Sequence, residues 1–452
     1  MLKSVDEVLD DLARSSHVFL RSNSELVRAV NLVAAKDDEK RAAEQAEKEP
    51  KNRDSPLRRK PELQAVPRAE QSISLTPWAV LHALGRAIAL ARQGAARGFA
   101  EHWGALKYSQ ALTSDTSSAM RLSAEGKETA KHYKTLQSGE LGTGFALAVA
   151  QQVLARRYPD RAVSFVPADT ALLAGWSARG TYRPQFFAEL WKPGEPSVAI
   201  PIACKGNHSN AAYSHTQLAS ASVHAEAVHI GPWNETPALI FSTELPTDDH
   251  VTIHALRADG RGGRLGAPGT GGASLDLGFS EENFFPGIEV PAEGGGSPTR
   301  VTGFHVTPDQ YEWFGRVLAR TGAAGVTAFA GDGEATAQYL TKRQGNQRFT
   351  GFAHAAAGSV QDADHTLLGM PFFGTDHVFR LNRTRVEAFS GVEKHLLALL
   401  VRGQVEQYRR ETYARRTSWP NDSWDHSWGG PVSVRPDGTV LAIRLLPDRR
   451  GG

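Results

Sequence analysis

One cysteine, Cys204, stands in 452 residues. A lone thiol excludes an intramolecular disulfide framework and any cysteine-based zinc finger. A surplus of charge is lacking too: 51 Lys and Arg face 49 Asp and Glu, a formal net charge of +2. A wholly basic, histone-like protein is thereby excluded, and any nucleic-acid surface has to be a local patch. No run approaches the roughly 18–20 uncharged apolar residues that cross a bilayer. The start, MLKSVDEVLDDLARSS, holds acids where a secretion signal has a basic end and an apolar run. The expectation is a cytoplasmic chain without membrane contact. What is present is ordinary globular material, with 40% hydrophobic and 22% charged residues and length enough for two or three domains.

Val5, Val8, Leu9 and Leu12 fall on one helix face, and Leu26, Val27, Val30 and Val33 repeat that spacing after the polar run RSNSE. Two short amphipathic helices over residues 1–36 follow, and they are a candidate surface for a protein partner. Residues 37–72 have few large apolar side chains and several prolines, so they read as a charged linker or frayed helix. Thr76-Pro77 is an N-cap with Pro at the first helical position, opening a helical region over 73–135. From 136 to 257 a helix around Phe145–Leu154 leads into three β-rich runs, AVSFVPADTALLAG, RPQFFAELW and SVAIPIACKG. A helix from near Ser214 and two strands, PALIFSTEL and HVTIHALRA, complete an α-β-β-β-α-β-β order. Residues 258–300 are Gly-rich without a phosphate-loop pattern and read as loop. Residues 301–452 read as a second α/β region with a hairpin at HVFRLNRTRVEAF and a basic helix after it. No internal repeat is evident.

The middle segment carries the chemistry. Pro184-Gln185-Phe186-Phe187-Ala188-Glu189 reads as one strand, Ile202-Ala203-Cys204-Lys205-Gly206 as the next, and a helix follows. This arrangement resembles the PD-(D/E)xK, or restriction-endonuclease-like, superfamily. The resemblance implies a core of a helix, three strands, a helix and a further strand. It also implies an acid near the start of one strand and an acid-x-Lys on its neighbour, converging on a divalent metal. Carboxylates suit that task because Mg²⁺ neutralises phosphate charge and acidifies a water while oxygen ligands leave positions open. Acid-x-Lys works on a strand because residues two apart share a face. Here Gln185 and Ala203 stand in place of the two acids, and Lys205 is kept. Glu189 lies four residues after Gln185, on the same face of an unbroken strand, and a migrated carboxylate there could meet Lys205. Asp169, in the preceding run, and Glu140, before the leading helix, are further metal candidates. The expected catalytic set is Lys205, Glu189 and Asp169, with Mg²⁺ on Glu189, Asp169 and Glu140. The competing reading makes Glu189 and Lys205 a structural salt bridge between strands.

His208, His215, His224 and His229 cluster after Lys205, and Gln217 sits at the helix start where a phosphate could be met. His224 is not at helical spacing from His215, which argues for ordinary surface histidines. Cys204 faces away from Ala203 and Lys205 by alternation and reads as buried. Arg402, Arg409, Arg410, Arg415 and Arg416, interleaved with Tyr408 and Tyr413, form a candidate nucleic-acid-binding helix; Trp419, Trp424 and Trp428 could stack on bases or pack a loop. The expected function is a nucleic-acid-directed protein on a nuclease-like core, a Mg²⁺-dependent DNA endonuclease if active. The Ala-, Arg- and Gly-rich composition points to a GC-rich bacterial genome, where defence against foreign DNA or mobile-element maintenance would be natural roles. The alternative is a catalytically inactive DNA-binding or scaffold module.

Overall fold

A computed structural model describes residues 3–47, 60, 62–67, 71–91, 100–114, 118–176, 182–233, 235–266, 275–276, 288–290, 299–301, 303–349 and 360–446. Helix α1 (Val5–Ala13) starts at a capping box, with Ser4 and Glu7 each satisfying a backbone N–H of the other's end. Its apolar face, Val5, Val8, Leu9 and Leu12, is buried in the main core. Strand β1 (Ser16–Arg21) then alternates strictly between buried and exposed side chains. Helix α2 (Ser24–Ala46) runs through the first part of the charged stretch, where Asp37 pairs with Arg41 and Lys40 with Glu44 one turn apart. Most of the remaining linker lies outside the described residues, as do most of the two Gly-rich segments between 258 and 300. Leu26, Val30 and Ala34 of α2 pack inward, so both N-terminal helices spend their apolar faces inside the molecule.

The chain continues through β2 (Ser72–Leu75), α3 (Pro77–Ile88) and α4 (Lys131–Arg157). Next come strands β3 (Ala162–Pro167), β4 (Phe186–Lys192) and β5 (Glu195–Asn207), helix α5 (Ala211–Glu226), then β6 (Ala238–Glu244) and β7 (Thr252–Ala258). These strands form one mixed sheet in the order β2-β1-β7-β6-β5-β4-β3. Strands β3, β4 and β5 are successively antiparallel, β6 is parallel to β5, and β7 is antiparallel to β6. The N-terminal β1 joins the far side, parallel to β7. Both faces are covered, which is why β4 has six consecutive buried residues instead of an alternating pattern. Helix α4 covers the face of Ile200, Ile202 and Cys204, while α5 covers the face of Ala203 and Ile240. Gly142 and Gly206 let α4 and β5 touch backbone to backbone; a Cβ on Gly206 would collide with the Ser138 carbonyl.

Helix α6 (Tyr311–Phe329) lies on the α5 side of the sheet, packing Phe314, Val317 and Leu318 against Val166, Phe187 and Ala199. A second sheet, wholly antiparallel, follows. It comprises β8 (Val360–Leu367), β9 (Met370–Leu381) and β10 (Thr384–Glu393), then β11 (Ser423–Asp425), β12 (Gly430–Val434) and β13 (Thr439–Leu445), in the order β8-β9-β10-β13-β12-β11. The hairpin expected at 377–389 is the β9–β10 turn. The basic stretch after it is two helices, α7 (Lys394–Val401) and α8 (Val405–Ala414), broken where Gly403 takes a positive φ of 75°. Helix α3 joins the halves. Its Trp78 Nε1–H donates to the Leu441 carbonyl at 2.8 Å, and both ring nitrogens of His82 meet hydroxyls, of Ser433 at 3.0 Å and Thr439 at 3.1 Å. Its other side packs on α4, where Gly144 fits against the Val80 carbonyl. Among the described residues no helix is long and apolar enough to cross a membrane.

Candidate functional site

The β4–β5 hairpin turns at Pro193-Gly194, with Gly194 at φ +77°, and pairs Glu189 with Ala199 and Phe186 with Ile202. Glu189 and Lys205 therefore share a face but stand six residues apart along β5, about 20 Å at 3.3 Å per residue. The structure does not bring them together. Glu189 is buried, 1% exposed, and its two oxygens accept from Arg409 of α8 in a bidentate pair at 2.8 Å each. The Ser197 hydroxyl donates to the same carboxylate at 2.7 Å, and the Arg409 guanidinium lies 4.2 Å from the centre of the Trp191 ring. A carboxylate so enclosed ties α8 to the sheet.

Asp169 follows β3 in the short helix Ala168–Leu172, its side chain 62% exposed, and it pairs with Arg183. Glu140 rides on α4, on the opposite side of the sheet from Lys205, where Lys107 lies 2.6 Å away and the Tyr108 hydroxyl donates at 2.7 Å. Gln217 belongs to a buried network at the ends of β5 and β6. Its oxygen accepts from Asn207 at 2.9 Å and from the Ser242 hydroxyl at 2.7 Å, and its amide donates to the Gly206 carbonyl at 2.9 Å. Of the helix arginines, Arg410 pairs with Glu406, Arg415 with Glu393 and Glu411, and Arg416 stacks on Tyr413. Arg402 and Arg410 are the two exposed members of that set. Trp428 is buried beneath Arg444 and beside Phe389.

The surroundings of Lys205 differ in kind. The last backbone bond of this ladder runs from the Gln185 N–H to the Ile202 carbonyl at 2.9 Å, and the Gln185 side chain then accepts the Cys204 N–H at 2.9 Å. Ala203 is fully buried against α5. Cys204 faces α4, near the Thr143 hydroxyl, and burial pushes its thiol up to about 11. Lys205 itself is half-buried and makes no ion pair among the described residues. Arg183 precedes this end of β4, and its carbonyl accepts from His224 Nδ1 at 3.0 Å. Burial, then the positive charge of Lys205, holds the His224 pKa below its ordinary value; Arg183 and Arg41 act in the same direction. Of these cations Arg183 is paired with Asp169 and Arg41 with Asp37, and Lys205 makes no ion pair among the described residues.

This donor set does not fit a divalent cation. The position of the first acid is an amide already engaged by backbone, the second is a methyl group, and the third is an ammonium. Among the described residues no group of three His, Cys, Asp or Glu side chains is arranged to hold a metal. Arg183, just before Pro184, is a functional candidate that no motif in the sequence marks; its place is set by the contact of its carbonyl with His224. His215 and His254 form a second group, with His254 Nε2 3.0 Å from Glu244 and the two rings 6.1 Å apart. No known protein family, curated protein or solved structure matches this chain.

Proposed function

We propose that the chain is a DNA-binding protein whose restriction-endonuclease-like core meets phosphate with cations and holds no catalytic metal. The order α4-β3-β4-β5-α5-β6, with the four strands adjacent in one sheet, supports the core assignment. The observation that carries the binding function is Lys205, a half-buried ammonium that makes no ion pair among the described residues and lies near Arg183 and His224. An unpaired cation at the end of a strand gains most from an incoming phosphate oxygen, because nothing has to be displaced first. Catalysis would require a carboxylate at Lys205, and Glu189, Asp169 and Glu140 each answer to another cation. Those pairings favour the inactive, binding form over the endonuclease.

The test is fluorescence anisotropy of labelled double- and single-stranded DNA with EDTA present, at several salt concentrations. Binding that weakens with salt and survives EDTA is expected, and Lys205→Ala should lower the salt slope by about one. Metal-dependent cleavage by the wild type, lost in Lys205→Ala, would overturn the metal-free reading. Absence of salt-sensitive binding would overturn the function.

A further inference from the structure

A separate cavity of about 440 Å³ opens at the Glu189 end of the sheet, between the Pro193-Gly194 hairpin, α6 and α8. Its size falls within the range of about 300–1,000 Å³ usual for small-molecule sites. The lining combines an aromatic and apolar wall, including Trp191, Tyr311 and Leu265, with several charges. Those charges are almost all answered within the protein. Glu189 pairs with Arg409, Lys192 with Glu195 at 2.6 Å, and Glu406 with Arg410 at 3.7 Å. Glu312, one turn before Arg316 on α6, has an interaction of its own, and no ion pair joins the two among the described residues.

Arg316 is the exception. It has no carboxylate partner among the described residues, and its Nε–H is buried without an acceptor. Arg320, one turn further on, has a buried Nε–H without an acceptor as well, but its terminal nitrogens are engaged, one of them donating to the Gln338 carbonyl at 2.6 Å. A buried guanidinium donor without an acceptor is costly in a folded protein unless an anion meets it. The planar fork of Arg matches phosphate oxygens in particular. Arg410, exposed and held by one long ion pair, stands in the same wall and can turn towards a second anionic oxygen.

We propose that this cavity binds a small phosphomonoester, with its phosphate on Arg316 and Arg410 and its organic body against Trp191, Tyr311 and Leu265. Such a ligand would touch the β4–β5 hairpin, α6 and α8 together. It would be independent of the Lys205 site, which lies at the other end of β5.

The probes are inorganic phosphate, ribose 5-phosphate and AMP, titrated into the full chain by calorimetry, with thermal unfolding in parallel. Saturable binding of at least one organic phosphate, tighter than inorganic phosphate, is expected, together with a raised unfolding temperature. Arg316→Gln should weaken it about tenfold or more, and Arg316→Lys should restore part of the loss. Gly315→Leu offers a second check: a Cβ there has room, 3.8 Å from Leu265, and the longer side chain would fill the cavity while leaving the charge in place. It should abolish binding without unfolding the protein. Lys205→Ala should leave phosphomonoester binding unchanged, which separates this site from the DNA-binding one. No binding of any probe to the wild type at millimolar concentration, or equal binding by Arg316→Gln, would overturn the proposal.

Discussion

The two ends of the β4–β5 pair hold the same kinds of residue in opposite conditions. At one end Glu189 and Arg409 satisfy each other in a buried bidentate pair, backed by Ser197 and stacked on Trp191. At the other, Lys205 is half-buried and makes no ion pair among the described residues, while Arg183, paired with Asp169, holds the His224 imidazole through its carbonyl. The first arrangement is complete without a ligand. The second, on the proposed function, would be completed by an anion. Charge on a strand therefore says little about function until its partner is known.

The largest expected effect tests the closed end. Glu189→Ala leaves a 13%-exposed guanidinium without its counter-ion, which costs about 3–5 kcal/mol in chemical denaturation. Replacing both partners with Met should recover most of that loss, because packed apolar volume can substitute for a buried ion pair. Neither change should alter DNA binding apart from its effect on folding. If Glu189→Ala abolished a metal-dependent activity while leaving stability intact, the contrast between the two ends would collapse.

Next in size is an attempt to restore the absent acid. Ala203 is fully buried among Leu218, Ala221 and Ile240, so Ala203→Glu forces a carboxylate into an apolar layer between β5 and α5. A loss of roughly 3 kcal/mol or more is expected in denaturant melts, with no gain of Mn²⁺ affinity, even when combined with Gln185→Asp. Tight Mn²⁺ binding at wild-type stability would mean that only the charges of a metal site had been lost. The expected outcome means that the space has been lost as well.

These contrasts were unevenly legible in the sequence. The run from α4 to β7 could be read because each element is a distinct apolar string bounded by turn residues. Strand β1 was not read. Its inward residues are Ser16, Val18 and Leu20, the outward Phe19 breaks the polar alternation, and its partners lie far away in sequence. The polar half of α2 resembled a linker because pairs such as Asp37–Arg41 leave no apolar signature. At the site, both side-chain parity and distance along the strand are legible from the hairpin turn. A two-residue turn at Pro193-Gly194 places Glu189 opposite residue 198 or 199, well short of Lys205. That Arg409 would occupy Glu189 was not readable, since 220 residues separate them.

A smaller effect, of unusual sign, sharpens the open end. The Asp169–Arg183 pair is mostly exposed, so Asp169→Asn should change stability little. It removes one negative charge from the Lys205 end of the sheet, and DNA should bind about two- to threefold more tightly. A metal ligand at this position would give the reverse, a loss of function on substitution. Anisotropy titrations at one salt concentration distinguish the two.

The smallest effect is one of pH, and it falls on His224. Burial and the nearby cations keep its folded-state pKa below the ordinary histidine value. As pH falls through about 6.5, the unfolded chain takes up a proton that the folded imidazole resists, so stability is lost from there down to the lowered folded value. Above that window the residue is neutral in both states and contributes no pH dependence. A phosphate placed on Lys205 would offset the surrounding positive charge and favour protonated His224. DNA binding should therefore strengthen, by roughly twofold, as pH is lowered within the window in which the free protein loses stability. His224→Gln should flatten the binding trend and only lessen the stability trend, because burial also holds His82, His208, His215, His229 and His377 below the ordinary value. Equal pH slopes of binding in wild type and His224→Gln would place the bound phosphate away from Lys205, and the open end of β5 would lose its assigned ligand.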